Sequence, residues 1–471
     1  MLKTRLISPY QHEGVRWLVA RENAADYPGG FLCDEMGLGK TVQMLATMCV
    51  NTQFRKTLVI VPKSIVAQWR DEINKFAPHF SVHTFDGPKR ELAQADITIA
   101  PYSVLMQRKG QPACPLLGVR WDRVILDEGH EIRNQKSKTH IACRALVTRV
   151  RWVVSGTPVF NSMKDFVALC AFMGMSRIEV QCSCNIIQQK YVLRRTKADV
   201  AQHNKRLELP PCDFENVELD MYPEEKALYD NVFRRGQDVV SNALAAENRG
   251  AHQMEVLEAL LRVRQVSTWP QLYLDGIAVK EDTDPEPWTG RSRKMETLMN
   301  LITSHRGEKS LVFTQFMGEM DRIQELLHDA AIPAFRIDGS VSKDQREERI
   351  AAFKKCPGGA VFIIQIKAGG VGLNLQEATR VYITTPAWNP ATELQAIGRA
   401  HRTGQVRKVV VRKLFYVGEE QLPSVEQSII QLQGHKSAIC AQVLNDERLT
   451  KQIPEGKSKV TIQALAKIFR V

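Results

Sequence analysis

Asp34-Glu-Met-Gly-Leu-Gly-Lys-Thr41 follows the apolar run Gly30-Phe-Leu-Cys33 and precedes Val42-Gln-Met-Leu-Ala-Thr-Met48. Apolar strand, glycine-rich turn, lysine, hydroxyl and helix is the order of a phosphate-binding loop. Gly37 and Gly39 let backbone N–H groups close on phosphate oxygens, and Lys40 adds a point charge toward the β- and γ-phosphates. Thr41 is placed to hold Mg²⁺, and the helix behind it turns the positive end of its dipole to the phosphates. Asp34, Glu35, Met36, Gly37, Leu38, Gly39, Lys40 and Thr41 are therefore the candidate nucleotide-binding residues. The full G-x-x-x-x-G-K-[ST] pattern asks for glycine where Asp34 stands, so by itself the stretch also reads as a plain strand–turn–helix corner.

The flanking sequence has the texture that such a loop requires. Lys56-Thr-Leu-Val-Ile-Val-Pro62 is a continuous apolar run, the mark of a strand buried on both faces of a parallel sheet. Ser64 is placed to cap a helix over 65–73. Further strands are expected at 95–100, 123–126 and 151–154, each stopping at a polar or Gly/Pro-bearing turn. Strands alternating with helices imply right-handed crossovers and an open α/β sheet, whose ligands sit at the carboxyl ends of the strands. The texture turns helical over 207–290, around 221–229 and 238–266, and ends in the acidic, proline-bearing Glu281-Asp-Thr-Asp-Pro-Glu-Pro287. A second α/β cycle follows: strands at 310–313, 334–339, 360–364, 380–383 and 407–415, and helices at 294–302, 320–327, 345–353 and 392–398. The expected organisation is one lobe over 1–206, a helical insertion and linker over 207–290, a second lobe over 291–424 and a basic helical tail over 425–471, with a cleft between the lobes.

The chain has 471 residues with 64 lysines and arginines against 52 acids, a net charge of +12. An excess of that size in a globular composition favours a polyanionic partner, although a merely basic enzyme has the same balance. The ten cysteines are scattered, and Cys182-Ser-Cys184 lacks the spacing of a zinc pair. A reducing, intracellular compartment fits them. Neither a secretory leader nor an apolar run of membrane length is expected.

Leu126-Asp-Glu-Gly-His130 closes the strand at 123–126. Isolated, it is a solvated acidic turn. In a chain with a phosphate loop, Asp127 is the candidate Mg²⁺ holder, directly or through water, and Glu128 the group that orients and deprotonates the attacking water. Ser155, Gly156 and Thr157 follow another strand and can link movement near the γ-phosphate to motion elsewhere, though S-G-T-P is also an ordinary turn. Lys367-Ala-Gly-Gly-Val-Gly-Leu-Asn374 puts Gly369 and Gly370 where a backbone can approach phosphates closely. In Gln395-Ala-Ile-Gly-Arg-Ala-His-Arg402, Arg399 and Arg402 are three apart, on one side of a helical turn, and facing a nucleotide they would be arginine fingers. An exposed basic helix end is the plainer reading. Trp388, in a polar loop, either packs or stacks on a base or sugar.

The ordered set PYQ at 9–11, DEMGLGKT at 34–41, VPKSIVAQW at 61–69, DEGH at 127–130, SGTP at 155–158, VFTQF at 312–316, KAGGVGLNL at 367–375 and QAIGRAHRTGQ at 395–405 resembles the Swi/Snf-type ATPases of helicase superfamily two. The resemblance spans roughly residues 6–420, and Asp34 is the residue that family has in its loop. Glu131-Ile-Arg-Asn134 after DEGH also resembles the branch of postreplication-repair and transcription-termination translocases.

The resemblance implies two RecA-like parallel-sheet lobes and ATP with Mg²⁺ as cofactors. Gln11 would read the adenine, Lys40, Thr41, Asp127 and Glu128 would act as above, and Gln395, Arg399 and Arg402 would complete the site from the second lobe. Duplex DNA would lie near Lys63, Thr314, Lys367, Gly369, Gly370 and Trp388, held through phosphates and groove shape without sequence preference. It also implies a monomeric translocase that moves along double-stranded DNA without parting it, in the nucleus or at a site of viral or phage DNA metabolism. Targeting would come from a partner or subunit, since no RING-type cysteine array or chromatin-reading segment is recognisable. Phe160, where the family often has glutamine in its third motif, puts the fine coupling in doubt. A strand-separating DNA or RNA helicase and a non-catalytic nucleic-acid clamp are the competing expectations.

Overall fold

The computed structural model describes the chain except residues 1, 3–7, 88–89, 107–112, 157–162, 202–209, 247–251, 367–372, 403, 419–423, 445–465 and 467, and the side chains at 198, 201, 343 and 435–444. Two compact units emerge, Met1–Leu209 with Ser437–Ile453, and Pro210–Lys436 with Pro454–Val471.

The first unit is built on seven strands: β1 (Gly29–Leu32), β2 (Thr57–Val61), β3 (Val82–Thr84), β4 (Ile97–Pro101), β5 (Arg120–Asp127), β6 (Val147–Val154) and β7 (Val192–Leu193). They lie in the order β3-β4-β2-β5-β6-β1-β7, and every pairing is parallel. Alternation along β2 shows why its sequence is apolar throughout. Leu58 and Ile60 join Phe31, Leu126 and Phe166 in one core cluster, and Val59 and Val61 join Leu45, Trp69 and Trp152 in another. Edge strands β3 and β7, of three and two residues, have no counterpart among the strands expected from apolar runs. Neither is the expected Ser64 cap present: a 3₁₀ turn over Lys63–Ile65 precedes the helix Val66–Phe76, and its N-cap is Ile65, with no side-chain bond.

One buried charge network fixes the end of this sheet away from the phosphate loop. Arg123 and Glu22 are both fully buried, with Nε 2.5 Å from Oε1. The remaining glutamate capacity takes Asn51 Nδ2 at 2.8 Å and Trp152 Nε1 at 3.0 Å, and the guanidinium also donates to Phe54 O and Thr57 Oγ1. The pair thus ties the helix Pro9–Glu22 to β5, β6 and the end of the helix Lys40–Val50. Removing one partner of a buried pair leaves an uncompensated charge, so Glu22→Ala should cost about 3–5 kcal/mol. A thermal midpoint within one degree of wild type would contradict this.

The second unit carries β8 (Cys212–Leu219), β9 (Ser310–Thr314), β10 (Ala334–Ile337), β11 (Val361–Gln365), β12 (Arg380–Ile383) and β13 (Val409–Tyr416). The order is β10-β11-β9-β12-β13-β8, again all parallel. β8 corrects the expectation of a purely helical 207–290 segment. It is an edge strand with only Leu219 buried, and its acids complement β13: Lys408 Nζ is 2.5 Å from Asp213, and Arg412 pairs with Glu215. The helices expected in that segment are present as Pro223–Ala245 and Gln253–Thr268, and a further helix, Pro270–Glu281, follows them. They share a core cluster with Val425 and Ile429 of the helix Val425–Leu444. Among the described residues no helix is long and apolar enough to cross a membrane.

Candidate active site

Three strands of the first unit end at one place. After β1 the chain turns through 33–39 into the helix Lys40–Val50, whose N-cap Gly39 has φ 74° and ψ 40°. Gly37 has φ 95°, so both glycines occupy the left-handed region that side chains resist. Lys40 Nζ donates to Asp34 O at 2.8 Å and Glu35 O at 3.5 Å, holding its charge over the loop's own carbonyls. Gln11 lies against the turn: its Nε2 is 3.5 Å from Leu38 O, and a Cβ on Gly39 would come within 2.7 Å of it. Tyr10 donates from its hydroxyl to the same carbonyl at 3.0 Å. Met36 and Thr41 are half-buried in this turn.

β6 delivers Ser155 and Gly156 to the same turn. The Ser155 N–H donates to Leu32 O at 3.2 Å, and a Cβ on Gly156 would stand 3.6 Å from Lys40 Nζ and 3.8 Å from Met36 N. Thr157 and Phe160 lie outside the described residues.

β5 contributes the carboxylates. Asp127 accepts Trp69 Nε1–H at 2.7 Å on Oδ2 and the Glu128 N–H at 2.9 Å on Oδ1, while Tyr102 donates to its carbonyl at 2.9 Å. Burial first, then the charge of Glu128, pushes the Asp127 carboxyl up to about 6, with Lys40 pulling the other way. Glu128 has φ 48° and ψ 48°, a conformation that costs a non-glycine residue about 1–3 kcal/mol and turns its side chain off the strand direction. His130 Nδ1 is 3.3 Å from Glu128 Oε2. Adjacent carboxylates near one half-buried lysine make a site short of positive charge, which suits a bound cation. A hard, hydrated Mg²⁺ needs few protein ligands. Thr41 and Asp127 are the residues that would hold it.

Asp34 is fully buried, and its carboxylate is taken up within the protein. Arg195, 161 residues away, takes it through Nε at 3.0 Å and Nη2 at 2.5 Å, and Gln43 Nε2 adds a third bond at 3.0 Å. Glu35 accepts the Lys197 N–H at 2.8 Å. Motif spacing does not reveal Arg195, Lys197 or Gln43. The available signal is Arg194-Arg-Thr-Lys197, a basic run able to complement Asp34-Glu35.

In the second unit, the helix Pro390–Ile397 ends at Gly398. Gln395 lies in its last turn, whereas Arg399 lies in the turn after it and Arg402 in a bend beyond, so the expected helical turn does not continue as far as Arg402. Their loop is anchored by Gln405, whose amide donates to Gln376 O, Ala378 O and Ala400 O at 2.8, 3.2 and 3.2 Å. Arg399 is buried and Arg402 half-buried. Thr314 is fully buried at the end of β9, so its side chain is not available to DNA in this arrangement. Trp388 packs against the helical cluster rather than standing clear as a stacking platform. Lys63 is exposed, and Lys367, Gly369 and Gly370 lie outside the described residues.

Residues 10–183 match the SNF2-related domain and residues 293–404 the helicase conserved C-terminal domain. The chain is similar to the ISWI chromatin-remodeling complex ATPase ISW1 of Saccharomyces cerevisiae, 27% identical over 96% of this chain and 42% of the yeast protein. It is also similar to the "Probable global transactivator" of Orgyia pseudotsugata multicapsid polyhedrosis virus, 27% identical over 93% of this chain and 91% of the viral protein. The chain spans about half the length or less of several curated relatives. Among solved structures, the Sulfolobus solfataricus SWI2/SNF2 ATPase core in complex with dsDNA is 27% identical, covering 97% of this chain and 98% of that one at a TM-score of 0.42.

Proposed function

Because the chain belongs to the SNF2-related ATPases of helicase superfamily two, we propose that it hydrolyses ATP in response to duplex DNA and moves along the duplex, displacing or remodelling bound proteins. The observation that carries this is the meeting of Lys40, Gly156 and Asp127 at the ends of β1, β6 and β5. A phosphate loop beside a metal-holding carboxylate and a second carboxylate is what phosphoryl transfer to water requires.

In this reading Gln11 contacts the base, and the loop's N–H groups with Lys40 hold the phosphates. Thr41 and Asp127 would hold Mg²⁺, which would offset the negative charge of the phosphates. Glu128, steadied by His130, orients water and accepts its proton. Arg399 and Arg402 stabilise the charge of the transition state from the second unit, and Ser155 to Thr157 couple the nucleotide to motion. Lys63 and the 367–370 segment meet the DNA backbone, and the net charge of +12 favours that partner. The nucleus or a site of viral DNA metabolism is the proposed location.

The test is phosphate release with duplex, single-stranded or no DNA. Duplex should stimulate at least about tenfold, falling as salt rises because each phosphate contact releases a counterion. Equal rates without DNA would remove the proposal. Release of a labelled strand from a partial duplex would replace translocation by strand separation.

A further inference from the structure

We propose that Arg195 is the positioning residue of the phosphate loop, and that the segment 192–197, just before the chain passes into the second unit, holds that loop in its phosphate-binding shape. The proposal rests on the ATPase reading for its effect on turnover, but not for its effect on nucleotide affinity.

The contacts run from both backbone and side chains. The Cys33 N–H donates to Leu193 O at 2.8 Å and the Glu35 N–H to Arg195 O at 2.9 Å. Arg194 Nη1 donates to Cys33 O at 2.8 Å, and Lys197 Nζ stands 3.5 Å from Glu35 Oε1. The loop from 33 to 35 is therefore bonded along its length to residues 193–197. Arg195 then reaches across. Beyond its two bonds to Asp34, it donates to Gln43 Oε1 at 2.7 Å and to Tyr10 O. One guanidinium thus joins the helix bearing Gln11, the loop and the helix bearing Lys40.

Space is kept for it. A Cβ on Gly14 would fall 2.1 Å from Gln43 Oε1 and 2.7 Å from Arg195 Nη2, both engaged in the network, so neither can give way without losing a bond. Asp34 and Glu35 are thereby docking points for this segment rather than ligands of phosphate or metal. Their charge would otherwise repel a triphosphate, and the arginine and lysine cancel it. Any displacement of 192–197 is passed to the N–H groups of the loop, because the two are bonded as one piece.

The full chain with Arg195→Lys, Arg195→Gln and Asp34→Asn/Arg195→Gln separates charge from geometry. Affinity is read with methylanthraniloyl-ATP, and kcat from phosphate release on duplex DNA. Arg195→Gln should weaken the nucleotide by about tenfold or more, since a buried carboxylate is left unpaired. Lysine should not rescue it, because a single ammonium cannot span both carboxylate oxygens and reach Gln43. The double variant restores neutrality but not the clamp, so it should recover only part of the lost affinity and keep kcat at least about tenfold low. A double variant that regains wild-type kcat, or a lysine variant with wild-type values, overturns the proposal. Should Arg195→Gln not fold, the neutral double variant makes the same distinction by its kcat alone. A wild-type chain inert on duplex DNA would remove the ATPase reading and leave the affinity measurements to decide on Arg195.

Discussion

Glu128→Gln is expected to lower ATP turnover by about 10²–10⁴-fold, the usual contribution of a positioned general base, with ATP affinity nearly unchanged. Glutamine keeps the volume of the side chain and loses only the capacity to accept a proton. In the proposed reading phosphate binding lies elsewhere, on Lys40 and the backbone N–H groups of the turn that ends at Gly39. The backbone at Glu128, held at φ 48°, is unaffected by the exchange, so the variant should melt with the wild type. The substitution also removes the second cause of the raised Asp127 carboxyl, which favours its ionised, metal-holding form. Steady-state phosphate release and methylanthraniloyl-ATP binding decide the matter. Turnover within threefold of wild type would move the base to another residue.

Arg402→Ala should cost about 10³-fold in kcat with duplex DNA present, the lower range for loss of an arginine finger. Preorganisation is the reason. Gln405 pins the loop through three carbonyl acceptors, and its own N–H donates to Arg402 O at 2.9 Å. A guanidinium carried on so fixed a loop loses little freedom when it meets developing charge. Folding should be intact, because Arg402 is only half-buried, in contrast to Arg399. An unchanged rate would leave hydrolysis to the first unit alone.

The parts of the fold visible in the sequence are those where burial acts on both faces of a strand. β2 and β11 are continuous apolar runs close to their predicted positions, and the apolar Val124-Ile-Leu126 core of β5 lies within its predicted stretch, although the strand starts at Arg120. β3 and β7 are too short to build a pattern, and β8 is exposed along most of its length, so its composition reports solvent rather than core. Pairing with β13 decides its conformation, and that information sits in the charges of Lys408 and Arg412. In the site, Lys40, Gly39 and Asp127 are legible because their spacing is local. Asp34 looks like a flaw in the local pattern, for its partner lies 161 residues on. The end of the helix before Arg399 is also legible, because helical spacing runs only to Gly398, where the helix stops. Thr314 and Trp388 are tied to DNA by motif position alone; Thr314 is fully buried, and Trp388 is partly buried against the helical cluster.

The position of β8 has a consequence for synthesis on the ribosome. The first sheet is complete once Leu193 has emerged, and all its strands come from one continuous stretch. β8 is made next, yet it pairs with nothing but β13, and Glu215 waits 197 residues for Arg412. Throughout that interval a strand with free hydrogen-bonding edges and a half-exposed Phe214 must remain unpaired, a state prone to association with other chains. Its acids Asp213 and Glu215, two apart on one face, keep such an edge soluble, and later pair with Lys408 and Arg412.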